Sequence, residues 1–207
     1  MFIQAVTIAV LMLFAVALPG PDFAMVTKNT LVHSRKSGFI TAVGIGIASL
    51  IHMLYCTLGL ALIILNSPLL FNVIKYLGAS YLVYLGIKSL LSHQINLSLN
   101  NKNMKKSSIS DWTAFRQGVL CNLLNPKATL FFLALFTTLI KPETPKSHVL
   151  FFVLEMFFII TTWFLFLAII LSHPKITLLL TRAEPYIEKI LGAFLIVFAV
   201  LLVFTTI

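Results

Sequence analysis

Two polar breaks interrupt otherwise apolar segments of this chain. The first is Pro19-Gly20-Pro21-Asp22, and the second is Asn125-Pro126-Lys127. Each proline removes a backbone donor and clashes with the preceding helical turn, so both segments are predicted to be helices that break at these positions. Polar backbone freed at membrane depth is tolerated only where it is buried in protein or faces a wet cavity. The two breaks are therefore the first candidates for a binding site.

The first break carries an acid, Asp22. An unpaired carboxylate in hydrocarbon costs at least about 2.5 kcal/mol on insertion scales, so an acid kept at this depth is expected to have a partner or a function. The sequence leaves two interpretations open. Asp22 binds an ammonium group or couples transport to protons, or it caps the helix that restarts after Pro21.

The second break carries a base, Lys127, near two amide side chains, Asn122 and Asn125. The functional interpretation is that these residues hold a substrate carboxylate, or that Lys127 pairs with Asp22. The alternative is a lysine whose long stem snorkels toward a membrane surface. On an unbroken helix the asparagines would share one face and Lys127 would point away from it, although Pro126 interrupts that phase.

Two further titratable residues lie within apolar segments. His52 is a candidate proton relay, and the alternative is a hydrogen-bonded histidine on a packing face. Glu155 is a second candidate for proton coupling, unless it lies close enough to the outer surface for water to reach it. The sequence shows no carboxylate pair within one span and no cluster of His and Cys with ligand spacing. It therefore predicts no catalytic residue, no metal site and no cofactor.

Composition indicates that these residues belong to an integral membrane protein. Of the 207 residues, 59% are apolar and 10% are charged, and the mean hydropathy is +1.03. A soluble domain of this size has no need of so much apolar surface. The formal charge of +9 lies mainly between the apolar runs, which favours cytoplasmic loops over nucleic-acid binding. A helix of about 20 residues crosses a bilayer, and such runs lie near residues 2–30, 39–65, 69–91, 113–140, 148–172 and 186–206.

The basic residues also predict an orientation. They concentrate in loops one, three and five, whereas the even loops hold little more than Lys75, Lys141 and Lys146. By the positive-inside rule the odd loops are cytoplasmic and both termini lie outside. The longest polar segment, residues 92–111, is predicted to be a linker. It divides one transmembrane domain, residues 1–207, into halves of three spans each.

The two halves share a weak internal repeat. Residues 75–79 in span three read KYLGA, and residues 189–193 in span six read KILGA. The first span of each half is also the one that is broken at proline. Because three spans separate equivalent positions, the fold predicted is an all-α membrane protein with six helices in two inverted three-helix repeats, residues 1–91 and 112–207. Paired broken spans in inverted repeats indicate a transporter's midplane binding site.

Span two carries mostly small residues along one helical face. Small residues at this spacing allow another helix to approach closely, and they would permit a homodimer. The residues of this face are Ala42, Gly46, Ser49, His52, Cys56 and Gly59.

Several motifs, in order along nearly the whole chain, resemble the LysE/RhtB family of amino-acid exporters. They include the sequences PGPDF at 19–23, SRKSG at 34–38, YLGASYL at 76–82, FRQG at 115–118 and NLLNPKA at 122–128. The resemblance implies a six-span exporter in the bacterial inner membrane, driven by the proton gradient. Its substrates would be amino acids or close derivatives, namely homoserine, threonine or lysine-like compounds or neutral amino acids. A divalent-metal exporter and a non-transporting membrane scaffold are the alternatives.

The residues and the resemblance lead to one mechanistic hypothesis. A zwitterion from the cytoplasm sits between the two broken spans, with its ammonium near Asp22 and its carboxylate near Lys127 or the freed amides. Protonation of Asp22 from outside then displaces the ammonium. The substrate site predicted consists of Pro19, Gly20, Pro21, Asp22, Asn122, Asn125, Pro126 and Lys127, and the proton-coupling residues predicted are Asp22, Glu155 and His52.

Overall fold

The computed structural model describes residues 1–66, 68–91, 108–140, 144–173, 186, 189–200 and 203. The regular elements within this part of the chain are helices: α1 (Phe2–Ala17), α2 (Pro21–Lys28), α3 (Arg35–Asn66), α4 (Pro68–Leu90), α5 (Asp111–Leu123), α6 (Pro126–Leu139), α7 (Lys146–Leu171) and α8 (Lys189–Val200). A π-helical turn, Asn29–His33, extends α2. The linker predicted at 92–111 lies outside the described residues except for its last four positions.

Both predicted helix breaks are confirmed. The segment formed by α1 and α2 bends by 60°, and the one formed by α5 and α6 bends by 56°. Helices α3 and α7 are long and apolar enough to cross a membrane, so the described chain has two candidate spans, or up to four if each bent pair is one span. The arrangement as two inverted repeats of three spans stays a prediction.

The backbone shows why each break forms where it does. Leu18 ends α1 in an extended conformation, and Gly20 is extended immediately before α2. Pro21 and Pro126 each occupy the first turn of the helix that restarts, where a missing N–H costs nothing. At the second break the Asn125 side chain accepts a hydrogen bond from the Lys127 N–H at 3.0 Å and so caps α6.

Helix α3 packs against both α5 and α7, and glycines allow the close approach. A side-chain carbon at Gly44 would collide with the backbone of Phe115, and one at Gly118 would collide with the backbone of Thr41. A side-chain carbon at Gly46 would likewise collide with the side chain of Thr161 on α7. These contacts hold α5, the first helix of the second broken segment, against α3.

The small-residue face of span two is therefore used within the chain. Ala42, Gly46, Ser49, His52 and Cys56 are all buried by neighbouring helices of the same molecule. This stretch is therefore not open to a second copy of the chain, and a homodimer stays a prediction. Gly59 lies in open space, since no atom would be within 4 Å of a side-chain carbon at that position.

Candidate functional site

The two breaks meet, and each satisfies polar groups of the other. Oδ2 of Asp22 accepts hydrogen bonds from Nδ2 of Asn122 and from Nδ2 of Asn125, both at 2.9 Å. In the other direction, Nζ of Lys127 donates to the backbone oxygen of Leu18 at 2.6 Å. The Asp22 carboxylate of the first break and the Leu18 carbonyl at the end of α1 thus both find their donors in the second break.

The charges lie at helix ends that favour them. Leu18 follows the last turn of α1, where backbone carbonyls carry partial negative charge, and the Lys127 ammonium binds there. Asp22 lies in the first turn of α2, where free N–H groups carry partial positive charge. Its side chain makes no capping hydrogen bond to α2, and Oδ2 binds the two asparagines instead, so the interpretation of Asp22 as a simple helix cap is wrong.

Lys127 faces the site, contrary to the phase of an unbroken helix. The bend at Pro126 turns the first residues of α6 toward α1, so that Lys127 lies beside Gly20. A side-chain carbon at Gly20 would lie 3.3 Å from Nζ of Lys127, so glycine leaves room for the ammonium. The direct pairing of Lys127 with Asp22 is not found within the described part of the chain, because the ammonium binds the Leu18 carbonyl instead.

The breaks border a partly open cavity of about 50 Å³, which is room for a few water molecules. One end is polar and is formed by Asp22, Asn122, Asn125 and Lys127. The other lining residues are apolar and come mainly from α1, α2, α6 and α7; this apolar wall includes Met12, Phe23, Phe131, Phe132, Ile160 and Phe164. A molecule with a charged head and an apolar body fits this division.

The polar end contains acceptors that lack donors. Oδ1 of Asp22 and Oδ1 of Asn122 are both buried, and neither accepts a hydrogen bond of normal geometry from the described residues. The Cys121 thiol lies beside the Asp22 carboxylate. Buried acceptors without donors cost free energy that a bound cation or a donating ligand would recover.

The other predicted site residues lie outside the cavity lining. Pro19, Pro21 and Pro126 shape the backbone at the breaks but do not border the cavity. His52 lies behind it on α3, 1% exposed. Glu155 lies on α7 away from the cavity, and its Oε2 is buried without a hydrogen-bond partner among the described residues. Whether His52 and Glu155 take part in proton coupling stays a prediction.

Two features were not predicted from the sequence: the apolar wall of the cavity, and a buried amide that ties together helices near the site. Residues such as Phe131 and Phe164 have no sequence signal that separates them from other apolar residues of a membrane helix. Asn29, fully buried in the π-helical turn, donates to Thr41 at 2.7 Å and to Gln117 at 2.9 Å and so ties α2 to α3 and α5. The sequence signal for Asn29 was its polar side chain, which lies shortly before the basic loop at 34–38.

The chain is similar in sequence to known membrane proteins. A family model described as LysE type translocator matches residues 13–206. A Bacillus subtilis membrane protein named YrhP is 32% identical over 191 residues, 89% of this chain and 91% of that protein. A leucine efflux protein of Salmonella choleraesuis is 33% identical over 165 residues, 80% of this chain and 76% of that protein. The same figures hold for the leucine efflux protein of Salmonella typhimurium. No solved structure matches the chain.

Proposed function

The chain belongs to the family of LysE type translocators, and from this premise we propose that it exports an apolar amino acid across the bacterial inner membrane. It is a multi-pass membrane transporter and not an enzyme. The name of the leucine efflux relatives supports an amino acid as the substrate. The cavity between the two breaks is the proposed binding site.

The observation that carries the proposal is the pair of buried acceptors at the polar end. Asp22 Oδ1 and Asn122 Oδ1 accept no hydrogen bond of normal geometry from the described residues. The α-ammonium of an amino acid supplies three donors and a positive charge, which the Cys121 thiol beside Asp22 does not. Asn122 and Asn125 hold the carboxylate of Asp22 through its other oxygen. Asp22 is therefore oriented for a cationic group before the substrate arrives.

Lys127 is proposed to bind the substrate carboxylate. Its ammonium already borders the cavity and donates to the Leu18 carbonyl. A carboxylate accepts a stronger, charge-assisted hydrogen bond than a neutral carbonyl does. Entry of the zwitterion would therefore draw Lys127 from Leu18 and loosen the contact between α1 and α6.

The apolar wall is proposed to select the substrate side chain. Phe131, Phe132, Ile160 and Phe164 line it, and the described lining residues hold no acid other than Asp22. A lysine side chain would bring a second ammonium against this wall, and burying an unpaired charge there is costly. An aliphatic side chain gains from the same burial.

The transport cycle follows from the need to open the cavity. A volume of about 50 Å³ holds a few waters and not a whole amino acid, so the lining helices must move apart to admit the substrate. We assign this motion to rocking of one inverted repeat against the other, as in transporters with paired broken helices. Protonation of Asp22 from outside would release the ammonium and reset the carrier.

Counterflow in proteoliposomes tests the proposal. Vesicles loaded with unlabelled leucine should accumulate labelled leucine, and labelled lysine should accumulate far less. Labelled homoserine tests a small polar side chain, and a divalent cation tests the metal-exporter alternative. Movement of the cation without movement of any amino acid would overturn the proposal. Counterflow of lysine equal to that of leucine would overturn the role given to the apolar wall.

A further inference from the structure

We infer that His52 is a positioning residue that holds two cavity residues, Asn122 and Phe132, in place from behind. The inference rests on the proposed function, because these two residues border the proposed amino-acid site. His52 itself does not border the cavity, and only 1% of its surface is exposed. It acts on the substrate through its neighbours.

His52 contacts both the polar and the apolar part of the site. Its Nε2 lies 3.1 Å from the backbone oxygen of Asn122, whose side chain binds Asp22. Its ring stacks on Phe132, with centroids 5.5 Å apart and planes inclined by 18°. Displacement of one imidazole would therefore shift the ammonium site and the apolar wall together.

The Asn122 carbonyl needs this donor because of the proline in the second break. In a continuous helix this carbonyl would accept from the N–H four residues later, but residue 126 is proline and has no N–H. The Asn125 N–H reaches the carbonyl at 3.0 Å, in a tighter turn. His52 supplies a further donor from α3 and fixes the end of α5 at the point from which Asn122 extends.

Both ring nitrogens of His52 have partners when the imidazole is neutral. A carbonyl oxygen only accepts, so Nε2 carries the proton, and Nδ1 is then free to accept the hydrogen bond from the Tyr55 hydroxyl. The neutral ring is fully satisfied and needs no second proton. This arrangement matches a positioning role and does not require His52 to release a proton during transport.

Three substitutions separate positioning from proton relay. His52→Leu removes both hydrogen bonds and should raise the KM for leucine counterflow by about tenfold, which corresponds to roughly 1.4 kcal/mol. His52→Gln places an amide donor near the Nε2 position and should restore the KM. His52→Asn places its amide near the Nδ1 position, cannot reach Asn122, and serves as the matched control that should not restore it. Rates are compared per folded, membrane-inserted molecule.

The outcomes are distinct. A normal KM in His52→Leu would overturn the inference. So would a His52→Gln variant as defective as His52→Leu. An amide can replace the hydrogen-bond donor but cannot carry the proton that a relay needs, so that result would favour a proton relay. If the wild-type protein moves no amino acid, the proposed function fails by itself. The inference is then judged by nitrogen NMR of the purified protein, with His52→Gln used to assign the signal. A protonated Nε2 and bare Nδ1 support it, and the opposite tautomer contradicts it.

Discussion

Replacement of Asp22 by asparagine gives the sharpest test of the binding site. The change keeps the size and shape of the side chain and removes its charge. The oxygen of the new amide can still accept from Asn122 and Asn125, which hold Oδ2 at 2.9 Å each in the native protein. Its NH2 group would then replace Oδ1, the buried acceptor assigned to the substrate ammonium. This NH2 group and the substrate ammonium are both donors, so neither could accept a hydrogen bond from the other.

The expected effect is large for substrate binding and small for folding. Removing one member of a buried, hydrogen-bonded charge pair costs about 2–5 kcal/mol of binding, and the lower limit is roughly a thirtyfold loss of affinity. The two hydrogen bonds from the asparagines would survive at the lower strength of neutral pairs, about 0.5–1.5 kcal/mol each. Asp22→Asn should therefore insert and fold, and fail to bind or export leucine.

The assay is a leucine-dependent thermal shift in detergent followed by counterflow in proteoliposomes. The matched control is Asp111→Asn, the same chemical change at an exposed acid that pairs with Lys36 at 2.7 Å. Exposed pairs contribute about 0–1 kcal/mol, so this variant should behave as wild type. Unchanged leucine affinity in Asp22→Asn would refute the assignment of the ammonium site.

Three other substitutions test the remaining site residues and the helix packing. Lys127→Gln should raise the KM for leucine about tenfold or more through loss of the charge that binds the carboxylate, and counterflow that matches wild type would contradict this role. Gly118→Ala should lower the melting temperature in detergent, because overpacking against the backbone of α3 costs about 1–3 kcal/mol; Gly59→Ala, in open space, is the control that should not. Phe164→Ala should shift counterflow from leucine toward larger apolar amino acids, and an unchanged preference would place the side chain elsewhere.

The amino-acid sequence by itself determined the class of the protein and the location of its breaks. Proline chemistry is local, so Pro19-Gly20-Pro21 and Asn125-Pro126 predict interrupted helices without knowledge of their neighbours. The cost of a charge in hydrocarbon is equally general, and it identified Asp22 as a residue that needs a partner or a function. The motifs at the two breaks also pointed to the translocator family to which the chain belongs.

Only the tertiary structure decided which groups meet. The contacts of Asp22 with Asn122 and Asn125 join residues 100 and 103 positions apart, and Lys127 reaches Leu18 across 109 positions. No local periodicity encodes such distances. The phase of an unbroken helix turned Lys127 the wrong way, because a bend of 56° at Pro126 resets the direction of every later side chain.

The apolar wall of the cavity could not be predicted from the sequence either. In a membrane helix almost every residue is apolar, so composition does not distinguish the phenylalanines that face lipid from those that face the cavity. That distinction depends on how α6 and α7 are rotated, and glycine contacts such as Gly118 against α3 determine how closely the helices pack. The sequence predicts that a site exists at the breaks, and helix packing decides what that site can bind.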